Sequence, residues 1–201
     1  MNTKRKLRYL LVFALALLLL GSATTGASAN SSDHVRWDIV SLDFSTVPFF
    51  TISPGGVAFA AAPNNLMIKL TGSGTFVAPA SGGTSGAVTG GGTWETFVNG
   101  TSTGSGTYKV TKLADWEFAN FQLPVLIDLI SPNGRANGNA VLVIEYSDGS
   151  QGTLGIGCHG PGAPDGIVEG VIATKGYVTY WAAQPPAPNV DANRTVFHVE
   201  K

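Results

Sequence analysis

The chain has 201 residues, with 12 Lys and Arg against 13 Asp and Glu, only 12% charged residues in all, 26 glycines and one cysteine. The single Cys158 excludes an intrachain disulfide. Four of the basic residues and none of the acidic ones lie in the first 29 positions, so the remainder carries a net charge of −5. It has no Lys/Arg run, which argues against a nucleic-acid or anionic-membrane partner.

In chain order, residues 1–29 read as a cleaved secretory signal peptide. Lys4, Arg5, Lys6 and Arg8 form a basic start, Tyr9 to Leu20 is apolar throughout, and Ala27-Ser28-Ala29 is a small-x-small cleavage site. The apolar run is shorter than the ~20 residues of a spanning helix; an uncleaved anchor is the alternative. Residues 30–201 are then expected as one secreted or extracytoplasmic domain, free of the membrane after cleavage and long enough to bury its own core. No cofactor is called for. Sequons occur at Asn30, Asn99 and Asn193 and matter only in a host that glycosylates.

The first strand signal shows two alternations. Val35, Trp37 and Ile39 share one phase, while Val40, Leu42 and Phe44 share the other. The change of phase suggests a β-bulge at Ile39-Val40, or else two short strands with a kink. A loop with Pro48 and Pro54 follows, and then Leu66, Ile68 and Leu70 alternate with Met67 and Lys69.

A phrase of the form Thr-Gly-x-Gly-Thr-aromatic then occurs three times, at Thr71–Phe76, Thr89–Trp94 and Thr103–Tyr108. The spacings are unequal, so the copies read as strands of a meander rather than a solenoid. Glycine inside a strand allows a sharp bend or close approach by a neighbouring ring. The phrase resembles the Gly-Thr-aromatic strands of avidin-type barrels. That resemblance implies strands suited to closing a barrel and names no ligand residues.

Val110 continues the third copy, and Trp116 and Phe118 alternate with Asp115 and Glu117. Leu123 to Ile130 is the best helical candidate, weakened by Pro124 and by its β-branched residues. Ser131-Pro132-Asn133-Gly134 marks a turn. Ala140, Leu142, Ile144 and Tyr146 share a strand face, and Ser147-Asp148-Gly149-Ser150 is a hairpin signal before Gly152–Cys158. Gly160–Gly166 is a glycine-proline loop, Ile167–Trp181 is extended with a break at Thr174–Gly176, and Pro185–Pro188 precedes a last strand at Thr195–Val199. The count is eight to ten strands. It predicts an all-β, antiparallel single domain forming a closed or nearly closed barrel, with a two-sheet jelly-roll sandwich as the alternative.

Catalytic motifs are absent: there is no Gly-x-Ser-x-Gly, His-Glu-x-x-His, phosphate loop or Cys-x-x-Cys. With His34, His159 and His198 so far apart, no metal site is expected. Cys158 shares a face with Leu154 and Ile156, and adjacent strand residues face opposite ways, so Cys158 and His159 do not read as a nucleophile–base pair. Glu169 shares a face with Ile167, Val171 and Ala173, and a carboxylate on an interior face needs a partner or a wet pocket. If Val168, Ile172 and Val178 are the core face instead, Glu169 is in solvent. Trp and Tyr beside acidic residues suit a ligand pocket or a sugar-stacking surface, and equally an ordinary β core.

The candidate ligand residues are Asp115, Trp116, His159, Glu169, Tyr177 and Trp181, with no catalytic roles assigned. The expected function is an exported binding module holding a small or sugar-like (carbohydrate) ligand inside or at the mouth of the barrel. The alternatives are an isomerase- or cyclase-like enzyme on the same scaffold, and a structural or surface-interaction protein without a pocket. A carboxylate sharing a pocket with a histidine favours the enzyme; an interior filled by side chains favours the structural protein.

Overall fold

The computed structural model describes residues 32–45, 49–80 and 82–200. The signal peptide expected at 1–29 and the sequon at Asn30 lie outside them. The described residues contain strands and no helix. The strands are β1 (Asp33–Asp43), β2 (Thr51–Pro54), β3 (Ala58–Ala62), β4 (Leu66–Leu70), β5 (Ser73–Ala78), β6 (Val88–Val98), β7 (Thr101–Phe121), β8 (Ile127–Asp128), β9 (Gly134–Tyr146), β10 (Gln151–Cys158), β11 (Gly170–Lys175), β12 (Val178–Tyr180), β13 (Ala182–Ala183) and β14 (Thr195–Glu200). Ten of them are five residues or longer, which agrees with the count expected from the sequence. The helical candidate at Leu123–Ile130 is instead an irregular segment containing β8. Pro124 and the β-branched Val125, Ile127 and Ile130 disfavour the helix there.

Six strands close into a ring by antiparallel pairing, in the order β1, β5, β6, β7, β9, β14 and back to β1. Closure leaves no free edge in the ring, which settles barrel over sandwich. The second halves of β6 and β9 carry further strands: β4 and β3 from β6, and β10, β11 and β12 from β9. β13 pairs with β3, and Trp181 alone separates it from β12, so the two arms meet through the chain.

The ring is solid inside. Trp37, Phe76, Leu113, Leu142, Ile144, Tyr146 and Phe197, all on ring strands, are fully buried in one contiguous core that continues to Leu154 of β10. Each such side chain contributes about 1.5–3 kcal/mol by leaving water. Phe76 and Phe197 both meet Trp116 edge-to-face, at centroid distances of 5.3 and 4.7 Å.

The glycine-aromatic phrases supply much of the packing. Phe76, Trp94 and Tyr108 are all buried in the core. The Trp94 indole N–H donates to the Thr107 carbonyl at 3.1 Å, and the Tyr108 hydroxyl donates to the Thr71 carbonyl at 2.8 Å, so two of the rings tie one phrase to another. Gly74 pairs with Gly90, Gly92 with Tyr108, and Trp94 with Gly106. A Cβ at Gly92 would collide with the Thr71 carbonyl oxygen, and one at Gly74 with that of Thr89. On the other face, threonine hydroxyls pair across the strands, Thr71 with Thr93 at 2.7 Å and Thr75 with Thr89 at 2.8 Å.

The bulge expected at Ile39-Val40 is absent, since the pairings of β1 run without a register shift. At Ile39 one edge of β1 passes from β5 to β2: the Ile39 N–H bonds the Gly72 carbonyl, and the Ile39 carbonyl accepts from the Gly56 N–H. Beyond that point the outward face is the one covered. Val40 and Leu42 form a second small core with Ile52 and Val196, outside the barrel. The phase change in the sequence thus marks a change of buried face. The register shifts that do occur lie in β7 against β9, at Val110/Lys112, Leu113/Asp115 and Phe118/Asn120, with one more at Thr96/Phe97. They let the 21-residue β7 bend round the barrel while keeping Tyr108, Val110 and Leu113 buried.

Candidate functional site

The core fills the ring, and a cavity lies outside the barrel, between the outward face of β1 and β14 and the connecting segments. It has a volume of about 490 Å³, within the range of small-molecule pockets. Its floor is the outward face of the barrel, made by Val40 and Leu42 of β1 and Val196 of β14, and Thr195 at the start of β14 also lines it. Its walls are connecting segments. Phe44, Phe50 and Ile52 come from the β1–β2 region, Gln122 and Leu126 from the segment after β7, His159 to Glu169 from the β10–β11 loop, and Ala183 to Arg194 from the link after β12. Gly160, Pro161, Pro185 and Pro186 all line it, so the glycine-proline loop and the proline-rich link both form part of the site. Phe44 and Phe50 meet edge-to-face at 5.3 Å.

Few polar side chains line the cavity, and most are committed to the protein. Gln122 donates through Nε2 to the Ala136 carbonyl at 3.3 Å and to Cys158 Sγ at 3.1 Å, and its Oε1 accepts from Arg135 Nε at 3.2 Å. Thr195 Oγ1 donates to the Gly157 carbonyl at 2.7 Å. The Glu169 carboxylate accepts from the His159 N–H on one oxygen and from the Thr195 N–H, at 2.7 Å, on the other. Burial pushes the Glu169 carboxyl up to about 7, against the downward pull of these hydrogen bonds and of the Arg194 charge. His159 Nδ1 lies 2.8 Å from the Ile167 carbonyl oxygen, a bond that requires the proton on Nδ1.

Behind one wall lies a buried polar cluster. Asp128 accepts from His198 Nε2 at 2.8 Å and from Arg135 Nη1 at 3.4 Å on one oxygen, and from the Ile130 N–H on the other. Burial raises the Asp128 carboxyl, but the bonds from His198 and from the Ile130 and Ser131 N–H groups outweigh it and hold the group below the usual carboxylate range. Arg135 also donates to the Leu126 and Leu123 carbonyls. These bonds fix the 122–131 segment, and with it Gln122 and Leu126, against β9 and β14.

Of the six candidate ligand residues, the structure brings His159 and Glu169 together in this cavity and places the other four elsewhere. Trp116 is half-buried against the core, and Asp115 is exposed on the outer side of β7. Tyr177 is 100% exposed at the β11–β12 turn, and Trp181 is 63% exposed beside β13. Arg194, Phe44 and Phe50 also line the cavity, and sequence reasoning did not single them out. Nothing in their local pattern separates them from ordinary loop residues; the pocket exists only once β1, β2 and β14 are assembled.

Cys158 is buried, as its strand phase indicated, and its Sγ donates to the Thr195 carbonyl at 3.3 Å. Burial raises its thiol well above the ordinary value. Asn99 is exposed in the β6–β7 turn, whereas the Asn193 side chain is occupied, accepting from the Phe59 N–H at 2.8 Å. Among the described residues no group of three His, Cys, Asp or Glu side chains could hold a metal ion. Comparison with known proteins finds no matching family model, no matching curated protein and no matching solved structure.

Proposed function

We propose that this protein is an exported binding module that holds a small, mainly apolar molecule in the cavity outside the barrel. The observation that supports this most is the composition of the cavity. Val40, Leu42, Phe44, Phe50, Ile52, Leu126, Val168 and Val196 surround about 490 Å³ with few free polar groups, and burying apolar ligand surface there is favourable at roughly 25 cal/mol per Å². A carbohydrate fits this lining poorly, since its hydroxyls would face hydrocarbon. The exposed rings of Tyr177 and Trp181 do not line the cavity. Export rests on the signal-like segment at the start of the chain.

A second reading, an acid–base enzyme of isomerase or cyclase type, draws on the presence of Glu169 and His159 in one cavity and on the raised Glu169 carboxyl. Against it, both Glu169 oxygens already accept backbone hydrogen bonds that hold the β10–β11 loop to β14. The test is calorimetric titration of the exported protein with decanol, followed by recovery of the alcohol. Saturable binding with unchanged decanol is expected. No binding of decanol or of any other small apolar probe would instead favour the structural reading, which the filled barrel interior also supports.

A further inference from the structure

The cavity has one polar group that the protein leaves unanswered. Arg194 lines it, and its Nε is buried without a hydrogen-bond partner among the described residues. Its Nη2 donates to the Ala187 carbonyl at 3.3 Å, and its guanidinium lies 5.5 Å from the centre of the Phe44 ring, against apolar surface. No carboxylate lies within ion-pair distance of it among the described residues. Gln122, Thr195 and Glu169, its polar neighbours in the lining, spend their hydrogen bonds on the protein, and His159 spends Nδ1 in the same way. The Glu169 charge acts on Arg194 but from beyond ion-pair distance. An unpaired guanidinium beside hydrocarbon is costly unless something answers it, and its planar fork matches a carboxylate.

We infer that the ligand of this cavity is a small organic acid, an apolar body ending in a carboxylate that pairs with Arg194. The apolar body lies along Val40, Leu42, Ile52 and Val196, and the carboxylate pairs with the Arg194 guanidinium where that side chain lines the cavity. This deepens the binding reading above and rests on it.

The test compares decanoate, decanol and decylamine by calorimetry at pH 8, for the wild type and Arg194→Gln. Decanoate is expected to bind at least about tenfold tighter than decanol, with decylamine weakest, and Arg194→Gln is expected to abolish the preference. Equal affinity for decanoate and decanol in the wild type would overturn the organic-acid inference and leave the apolar pocket standing. A decanoate preference that survives Arg194→Gln would also overturn it, by placing the anion elsewhere. If none of the three probes binds, the pocket reading itself fails. Should Arg194→Gln not fold, the ranking of the three probes on the wild type still decides.

Discussion

At the scale of single residues, the glycines of the repeated phrase are where side-chain size matters most. Gly74 and Gly92 face backbone oxygens across the sheet, whereas nothing lies within 4 Å of a Cβ at Gly86. Gly92→Ala and Gly74→Ala are therefore expected to destabilise by about 1–3 kcal/mol in urea melts, as overpacked sites do, with Gly86→Ala near neutral. At Gly106 the obstacles are the Ser147 hydroxyl and the edge of the Trp94 indole. These can move, so Gly106→Ala is expected to cost less than Gly92→Ala. The recurrence of the phrase made this legible from sequence, because glycine beside an aromatic at three strand positions points to close approach of a backbone or a ring. Cys158 was equally legible in its burial and less so in its bonding. Its sulfur has a donor in Gln122 and an acceptor in Thr195, so a serine hydroxyl would not be orphaned. Cys158→Ser is expected to cost no more than about 1 kcal/mol, and the native thiol to label only as the protein unfolds; rapid labelling of the folded protein would contradict the burial.

At the scale of elements, connectors rather than strands shape the site, and charged side chains hold them in place. Arg135 joins β9 to the 122–131 segment through Asp128, Leu126, Leu123 and Gln122. Arg135→Met removes the hydrogen bonds to Gln122, Leu123, Leu126 and Asp128, while Asp128 keeps His198 and the Ile130 N–H, and is expected to cost about 1–2 kcal/mol. Limited proteolysis should then cut within 122–131 before the barrel unfolds. Glu169 fixes the opposite wall and leaves a mark on the pH profile. Its carboxyl sits near 7 in the folded protein against an ordinary 4.5. Between those values the folded state binds a proton that the unfolded state does not, so this group makes stability fall as pH rises from 4.5 through 7. Urea melts at pH 5, 6 and 7 are expected to show a shallower fall in Glu169→Gln than in the wild type. An identical slope in both would show that the carboxyl is not held up by burial. The sequence placed Glu169 on a face with Val171 and Ala173 but left open whether that face is interior. Tertiary context decided it, through His159 and Thr195, which lie 10 and 26 positions away.

At the scale of the whole molecule, strand content and closure follow from a chain that is rich in glycine and alternating apolar residues and poor in helix signals. The order of pairing does not. The ring joins β1 to β14 and β7 to β9, contacts between distant parts of the chain that no local pattern records. Three register shifts in β7 also broke the twofold alternation, so this strand of 21 residues read as separate pieces. The pocket was hidden for the same reason: Val40, Leu42 and Val196 carried an alternation that could be read as core, and only closure of the ring shows that this second face looks outward. The central claim is that the barrel is solid and that binding occurs on its outer side. Methyl-resolved NMR of the protein titrated with decanol tests it directly. Shifts confined to Val40, Leu42, Ile52 and Val196, with Leu113, Leu142 and Ile144 unmoved, are the expected result; progressive shifts in Leu113, Leu142 and Ile144 with the outer methyls unchanged would place the ligand inside the barrel and contradict it.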